Sequence, residues 1–352
     1  MSHKLPLNKP PDSLCILRLS ALGDVTHVLP VIRAIQSHWP ETRITWVCGA
    51  FENKLLTNIE NVRFVLFDKS AGIKAYRELW QSLRETRFDV LLHMQVSARA
   101  NIASLGIRAD VRLGWDRIRA RDLHSLCINA KIPFIEQQHQ TLAFLSFAQT
   151  LGVPVAEPSW ELPVDNSQRS LVDQYIDPDR RTLIISPSSS HTLRNWTIEG
   201  YAAVADRAIR EHDMQVVLCG GPNSSELALA ESIASTAKYE ITNLTGKDTL
   251  QQLIALIDAC DVVISPDSGP LHLANALGKP VIGLYACTWS RRSGPFHSLN
   301  HCVDHFEKAA EKYLGQSATS VRWGTRIERP GVMEMISMTE VSDKLDEIVK
   351  AL

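Results

Sequence analysis

The stretch Asp261-Val-Val-Ile-Ser-Pro-Asp-Ser-Gly-Pro-Leu-His-Leu-Ala-Asn-Ala-Leu-Gly278 decides how this chain folds. The β-branched run at 262–264 predicts a buried strand, which Pro266 ends. Residues 267–269 predict a turn, and Pro270 suits the first position of a helix that follows it. The predicted helix has three apolar side chains on one face, Leu271, Ala274 and Leu277.

This strand, turn and helix form a candidate anion site. Gly269 lets the backbone approach a ligand closely, and free N–H groups and the positive end of the helix dipole point at the same spot. His272, in the first turn of the helix, adds a further donor. The alternative is a capped turn between strand and helix with a surface histidine.

The composition is that of an ordinary globular protein, with 45% hydrophobic and 22% charged residues. A chain of 352 residues is longer than a single hydrophobic core usually supports, so two domains are expected. With a net charge of −2 the chain has no overall positive electrostatic potential that would attract nucleic acid, so no nucleic-acid partner is predicted. The seven cysteines are scattered without a Cys-x-x-Cys pair and predict small core residues in a reducing compartment.

No stretch approaches the roughly twenty apolar residues that span a bilayer, and the N-terminus has no signal-peptide core. The sequence therefore predicts a cytoplasmic protein, or one that is peripheral to a membrane.

Strand and helix patterns alternate along both halves of the chain. The first half opens with a strand over 13–20, a glycine turn over 21–24 and a helix over 25–39. Residues 153–168 contain prolines and no helical period, which is typical of a linker, and the alternation restarts at Thr182. Such alternation predicts doubly wound parallel sheets.

The predicted fold class is α/β, with two Rossmann-like domains facing each other across a cleft. We expect a first domain at 1–160, a second at 161–335, and a C-terminal helix at 336–352 that packs back across the junction.

Four motifs occur in a recognisable order. They are Ile16-Leu-Arg-Leu-Ser-Ala-Leu-Gly-Asp-Val-Thr-His-Val-Leu-Pro30, then Ser186-Pro-Ser-Ser-Ser190 with Arg194-Asn-Trp196, then Gly220-Gly221 with Glu226 behind it, and Asp267-Ser-Gly-Pro-Leu-His272. Their order and spacing resemble the lipopolysaccharide heptosyltransferases, which are glycosyltransferases of the two-domain B fold (GT-B). The resemblance covers nearly the whole chain, and it implies that the domain at 1–160 binds the acceptor and the domain at 161–335 binds the nucleotide sugar.

Residues 23–27 and 137–139 look most like heptosyltransferase I, which adds the first heptose to the inner-core Kdo sugar. The resemblance implies an inverting transfer from ADP-heptose to Kdo-lipid A in lipopolysaccharide core biosynthesis, without a cofactor or a metal. It also implies a peripheral enzyme at the cytoplasmic face of the inner membrane.

On the donor side, the resemblance implies a set of side-chain and backbone donors for the diphosphate. These are Ser189, Ser190, Arg194, Ser268, Gly269 and His272. Arg194 stands where the family commonly has lysine. Glu226 is expected at a ribose hydroxyl and Asp267 at the sugar hydroxyls; the alternatives are an exposed glutamate at a helix start and an aspartate that caps the next helix.

On the acceptor side, Asp24 is the expected general base, because displacement at the anomeric carbon needs a group that removes the proton of the attacking hydroxyl. The alternative is that Asp24 only caps a helix. Acceptor contacts are expected from Arg18, Ser20, Gly23, Arg99, Arg117, Arg119, Arg121 and His139. The basic loop at 115–121 also suits an anionic membrane surface.

Several other functions compete with this one. They are heptosyltransferase II or III acting on a heptosylated core oligosaccharide, a sugar-nucleotide epimerase of the same fold, and a non-catalytic sugar-nucleotide-binding protein. A nicotinamide dehydrogenase is disfavoured, because the opening turn at 20–24 lacks Gly-x-Gly-x-x-Gly. Residues 291–330 carry no family motif, and Arg322 and Arg326 receive no role.

Overall fold

The computed structural model describes residues 5–56, 59–155 and 157–352, and the chain divides into two compact units, Met1–Pro163 and Val164–Leu352. The unit boundary falls inside the predicted linker at 153–168, of which residue 156 lies outside the described residues.

The first unit is a parallel sheet flanked by helices. Its elements are β1 (Ser13–Leu17), α1 (Leu22–Thr26), α2 (Leu29–His38), β2 (Arg43–Gly49), α3 (Ala50–Leu56), β3 (Val62–Phe67), α4 (Ile73–Leu83), β4 (Arg87–His93), α5 (Ala98–Ser104), β5 (Arg108–Gly114), β6 (Ala130–Lys131) and α6 (Gln140–Leu151). The strands pair in parallel in the order β3-β2-β1-β4-β5-β6.

The second unit repeats this architecture. Its elements are α7 (Asn166–Val172), β7 (Thr182–Ile185), α8 (Ile198–His212), β8 (Gln215–Leu218), α9 (Ser224–Thr236), β9 (Thr242–Asn243), α10 (Leu250–Ala259), β10 (Val262–Pro266), α11 (Gly269–Ala276), β11 (Val281–Tyr285), α12 (Ser290–Ser293), β12 (Val303–Asp304), α13 (Phe306–Leu314) and α14 (Met338–Ala351). The strand order is β12-β11-β10-β7-β8-β9, again all parallel.

Counted within each unit, both sheets have the strand order 3-2-1-4-5-6 of the doubly wound nucleotide-binding fold. The predicted α/β class with two Rossmann-like domains is confirmed. The central strands are apolar and buried on both faces, as parallel strands covered by helices must be; in β10 every residue is buried.

The stretch at 261–278 folds as predicted. β10 ends at Pro266, Ser268 is extended, and α11 begins at Gly269 with Pro270 in its first turn. Leu271 and Ala274 are buried in the core, whereas Leu277 lies just beyond the last helical residue.

The prediction of one helix over 25–39 is wrong, because this segment forms two helices. α1 begins earlier, at Leu22, and a break at residues 27–28 separates it from α2. Pro30 explains the break: it lacks the N–H that would bond the carbonyl of Thr26, and its ring is tolerated only in the first turn of a helix. Asp24 is consequently a helical residue in the first turn of α1.

The C-terminal helix α14 packs within the second unit. A capping box formed by Ser337 and Glu340 starts it, and Asp346 is ion-paired with Arg207 of α8 and lies 2.8 Å from His212 Nε2 of the same helix. The prediction that this helix also crosses the domain junction stays a prediction.

Among the helices of the described residues, none combines the length and the hydropathy needed to span a membrane.

Candidate functional site

Each sheet has a crossover point where the strand order reverses, and ligands of doubly wound folds bind there, outside the carboxyl ends of the strands. In the first unit this point lies between β1 and β4, and in the second between β7 and β10. The predicted catalytic residue follows β1, and the predicted donor residues follow β7, β8 and β10.

Two hydrogen bonds span the crossover point of the first unit. The Leu19 N–H donates to Gln95 Oε1 at 2.7 Å, and Arg18 Nη1 donates to the carbonyl of Met94 at 2.8 Å. The Arg18 guanidinium carbon also lies 5.3 Å from the centre of the Phe144 ring, a cation–π contact. The arginine side chain is therefore fixed where a ligand of this sheet is expected.

Asp24 is held by this arginine. Its Oδ2 forms an ion pair with Arg18 Nη2, while 37% of the aspartate side chain stays exposed. The cap of α1 is Ala21, without a side-chain cap hydrogen bond, so the alternative in which Asp24 caps the helix is not what the structure shows. The result is a carboxylate with fixed orientation and access to solvent.

Two other predicted acceptor residues, Ser20 and Gly23, follow β1 at this point, and a third, His139, starts α6, whose Phe144 contacts Arg18. Ser20 Oγ accepts from Gln95 Nε2 at 3.3 Å, and the Gly23 carbonyl accepts from Thr26 Oγ1 at 2.6 Å. His139 is buried and caps α6, its Nδ1 accepting the Thr141 N–H at 3.2 Å.

The predicted basic side chains divide into two kinds. Arg99, Arg117 and Arg121 are exposed. Arg119 is engaged by residues of its own loop and by Pro133: it pairs with Asp116, lies over the Trp115 ring at 4.7 Å, and donates to the Pro133 carbonyl at 3.0 Å. Its guanidinium thus fixes the shape of the basic loop.

A buried pair missed from the sequence, Asn101 and His124, holds the segment that follows the basic loop. The Trp115 N–H donates to His124 Nε2 at 3.1 Å, so Nδ1 carries the proton and donates to Asn101 Oδ1, also at 3.1 Å. Asn101 Nδ2 donates to the Asp122 carbonyl at 2.6 Å. Burial lowers the pKa of His124 to about 4. Gly114 is required here, since a Cβ would lie 2.5 Å from His124 Nε2.

In the second unit, Asp267 at the end of β10 is held in its ionised form. Its Oδ1 lies 3.4 Å from His272 Nε2, and its Oδ2 accepts from Ser293 Oγ at 3.3 Å. Burial alone would raise the pKa of Asp267, but hydrogen bonds from His272 and Thr288 and the charge of Arg292 outweigh it and lower the pKa. The carboxylate does not cap α11, whose cap residue is Ser268.

The start of α11 is tied to the end of β7 across the crossover point. The buried Ser265 Oγ donates to the carbonyl of Ser186 at 2.9 Å and lies 2.7 Å from Ser268 Oγ. The side chain of Ser268 makes no capping bond to α11. Ser268 and Gly269 therefore stand, as predicted, at a helix N-terminus that suits an anion.

Arg194 has a partner that sequence reasoning missed, Glu328. Arg194 Nε donates to Glu328 Oε1 at 2.8 Å, and Nη1 lies 3.5 Å from Ser190 Oγ. The hydrogen bond from Arg194 is the main cause of the lowered pKa of Glu328, and the charge of Arg326 adds to it. Ser189 is part of the same turn, its N–H donating to Asn195 Oδ1 at 2.8 Å.

Glu226 lies in the first turn of α9 and bonds back to the glycine turn. Its Oε2 accepts the Gly221 N–H at 2.7 Å, and its Oε1 accepts from Asn223. It is half-buried, so it differs from the alternative of an exposed glutamate at a helix start.

Two cavities in the second unit were not predicted. One lies beside Asp267 and is lined by Trp289, Arg292, Trp323 and Arg326, in the region without a family motif. The other is lined by Asp248, Lys247 and Tyr175, and burial raises the pKa of Asp248 to about 6. In the described part of the chain no cluster of three or more His, Cys, Asp or Glu side chains suits a metal ion.

The chain is similar to known glycosyltransferases. The sequence profile of glycosyltransferase family 9 (heptosyltransferase) matches residues 76–320. Lipopolysaccharide core heptosyltransferase OpsX of Haemophilus influenzae is 40% identical over 338 residues, which cover 96% of this chain and 97% of that protein.

Solved structures share the fold at lower sequence identity. A family 9 glycosyl transferase from Veillonella parvula superposes with a TM-score of 0.80 at 18% identity, covering 97% of this chain and 98% of that one. E. coli heptosyltransferase WaaC, solved with ADP, gives a TM-score of 0.74 at 18% identity, covering 96% and 99%.

Proposed function

Because the chain belongs to glycosyltransferase family 9, the heptosyltransferases, we propose that it transfers heptose from ADP-heptose to the Kdo-lipid A inner core in lipopolysaccharide biosynthesis. The transfer is inverting, with Asp24 as the general base. The observation that carries this proposal is the partly exposed Asp24 carboxylate, held by Arg18 at the crossover point of the first sheet.

Asp24 acts on the acceptor. In an inverting displacement the acceptor hydroxyl attacks the anomeric carbon, ADP leaves from the opposite face, and a base takes the hydroxyl proton. Arg18 restrains the Asp24 carboxylate through Oδ2, which reduces the reorganisation that the proton transfer requires.

The second unit holds the donor. Negative charge grows on the leaving diphosphate, and donors already aimed at it stabilise the transition state without reorganisation. The start of α11, His272 and Arg194 supply these donors, while Asp267 accepts hydrogen bonds from the sugar hydroxyls. Glu328 holds the Arg194 guanidinium in position, and Glu226 binds the ribose.

The acceptor carries an anionic sugar acid on a phosphorylated glycolipid and needs local positive charge. The exposed side chains of Arg99, Arg117 and Arg121 supply it. We place the enzyme at the cytoplasmic face of the inner membrane, where this acceptor is anchored, with no resident metal or cofactor.

Substrate panels test the proposal. Wild-type protein is offered ADP-heptose or UDP-sugars as donors, and Kdo-lipid A or an already heptosylated core as acceptors. The proposal expects a heptosylated product only with ADP-heptose and Kdo-lipid A. Transfer to the heptosylated core alone would assign heptosyltransferase II or III activity, and epimerisation of a UDP-sugar without an acceptor would refute glycosyl transfer.

A further inference from the structure

The first unit carries an exposed apolar surface that the proposed reaction does not use. Ile102 of α5 is 44% exposed and Leu105, the residue that follows α5, is 65% exposed. In the segment after the basic loop, Leu123 is 75% and Leu126 79% exposed. Apolar side chains of this size scattered singly are ordinary, whereas a contiguous group of them indicates an interaction surface. We call these four residues the apolar patch.

Hydrogen bonds place the two halves of the patch side by side. Asn101 of α5 donates to the Asp122 carbonyl at 2.6 Å and contacts the His124 ring at 3.1 Å, and its own carbonyl lies 3.8 Å from Cys127 Sγ. The segment with Leu123 and Leu126 therefore runs along α5. Leu105 caps the C-terminus of α5 in a helical backbone conformation, so its spacing of three residues puts it on one face with Ile102.

The patch is bordered by positive charge. Arg99 is exposed on the same helical face as Ile102, and Arg117 and Arg121 are exposed on the loop that leads into the patch. The acidic residue of this segment, Asp122, uses its carboxylate to accept the Ala98 N–H at 3.0 Å, at the start of α5.

We propose that the apolar patch and its three arginines dock the protein on an anionic bilayer surface. Apolar side chains that enter the boundary between headgroups and acyl chains, combined with a few basic residues facing anionic headgroups, are the two signals that together give stable but reversible membrane binding. The pattern fits an anionic lipid surface better than a protein partner, because the exposed charges that flank the bulky aliphatic side chains are arginines, and the carboxylate of Asp122 is engaged at the start of α5. The inference rests on the proposed function for the identity of the membrane.

Vesicle binding tests this surface directly, with vesicles that contain no acceptor. Full-length protein is mixed with vesicles of phosphatidylethanolamine and phosphatidylglycerol, or of phosphatidylcholine alone, and the bound fraction is measured by flotation. We expect binding to the anionic vesicles that weakens at high salt. The double variant Leu123→Asn, Leu126→Ser should lower the partition coefficient by about tenfold or more; asparagine suits position 123 because the residue there has φ +62°.

A matched control is available in the same unit. Ile73, the first residue of α4, is 72% exposed and follows β3, which is the edge strand at the other end of the sheet from β5 and β6. Ile73→Ser should bind vesicles like the wild type. Thermal unfolding of each variant shows whether the fold is retained.

Equal binding by the double variant and the wild type would overturn the inference, as would no binding by the wild type. Patch-dependent self-association without vesicle binding would also overturn it, in favour of a second copy of the chain as occupant. Heptose transfer to a delipidated, water-soluble acceptor separates the two proposals. If the wild type transfers heptose to this acceptor but does not bind vesicles, only the docking inference fails. If the wild type transfers no heptose to this acceptor but binds vesicles through the apolar patch, only the proposed function fails.

Discussion

Acid should destabilise the first unit through His124. The ring is fully buried, accepts the Trp115 N–H at Nε2 and donates from Nδ1 to Asn101, so a second proton has no acceptor and must displace an amide donor. Its pKa is lowered from 6.5 to about 4 by burial. The folded state thus binds fewer protons than the unfolded state between these values, and the stability contributed by neutral His124 is present above pH 6.5 and lost as the pH falls towards 4.

The magnitude follows from the two pKa values. Neutral His124 contributes about 3 kcal/mol to the free energy of unfolding when this contribution is fully present, and about 2 kcal/mol of it is already lost near pH 5. We would measure the free energy of unfolding of the first unit by urea titration of the full chain at about pH 8 and about pH 5, following hydrogen exchange of peptides from residues 5–155.

His124→Gln, which cannot titrate, should be less stable than the wild type at the higher pH, yet lose about 2 kcal/mol less on acidification. His38 is exposed and provides the control, since His38→Gln should keep the wild-type pH dependence. If the wild type and His124→Gln lost the same stability between the two pH values, the inference of a buried neutral His124 would be wrong.

Three further predictions concern other parts of the molecule. If Arg194 binds the diphosphate as proposed, Arg194→Ala should raise the KM for ADP-heptose by about tenfold or more in steady-state assays, because a charge-assisted bond would be lost, whereas Glu328→Gln should change it much less. Asp248→Asn should raise the free energy of unfolding by about 1–2 kcal/mol near pH 8 and by much less near pH 4, since the raised pKa of Asp248 means that its buried ionised form opposes folding above about pH 6; equal gains at both pH values would contradict this. Arg119→Ala should speed proteolysis within the basic loop and lower kcat/KM for the acceptor by about tenfold while the donor KM is unchanged; an unchanged cleavage rate would show that Arg119 does not fix the loop.

The features predictable from the sequence are those that depend on short stretches of chain. The strand, turn and helix at 261–278 follow from a β-branched run, a proline that ends it and another that suits a helix start, and all of these act within a few residues. The alternation of such stretches likewise predicts the fold class. The break between α1 and α2 also has a local signal, Pro30. The apolar period continues over 25–39, and it led to the prediction of one helix despite this proline.

The missed features depend on contacts between distant positions. Arg194 and Glu328 are separated by 134 residues, and only the folded second unit brings their side chains together. The cavity beside Asp267 is formed by segments that carry no family motif. Arg119 was predicted as an acceptor contact because basic side chains in its loop cluster beside an aromatic, Trp115. The sequence did not show that Asp116, Pro133 and Trp115 all contact its guanidinium. Charge in a sequence indicates where a ligand is expected, whereas the contacts of each side chain decide which residues face it.

The most direct measurement for the central claim is single-turnover heptose transfer by Asp24→Asn. The substitution keeps the size of the side chain and removes the basic carboxylate, so we expect a folded protein with a nearly unchanged donor KM and a transfer rate lowered by ~100-fold or more. Asp110 supplies the matched control. It pairs with Arg87 and 32% of its side chain is exposed, but the pair lies near the amino ends of β4 and β5, whereas Asp24 follows the carboxyl end of β1. Asp110→Asn should transfer heptose like the wild type. Transfer by folded Asp24→Asn at close to the wild-type rate would contradict the assignment of Asp24 as the general base.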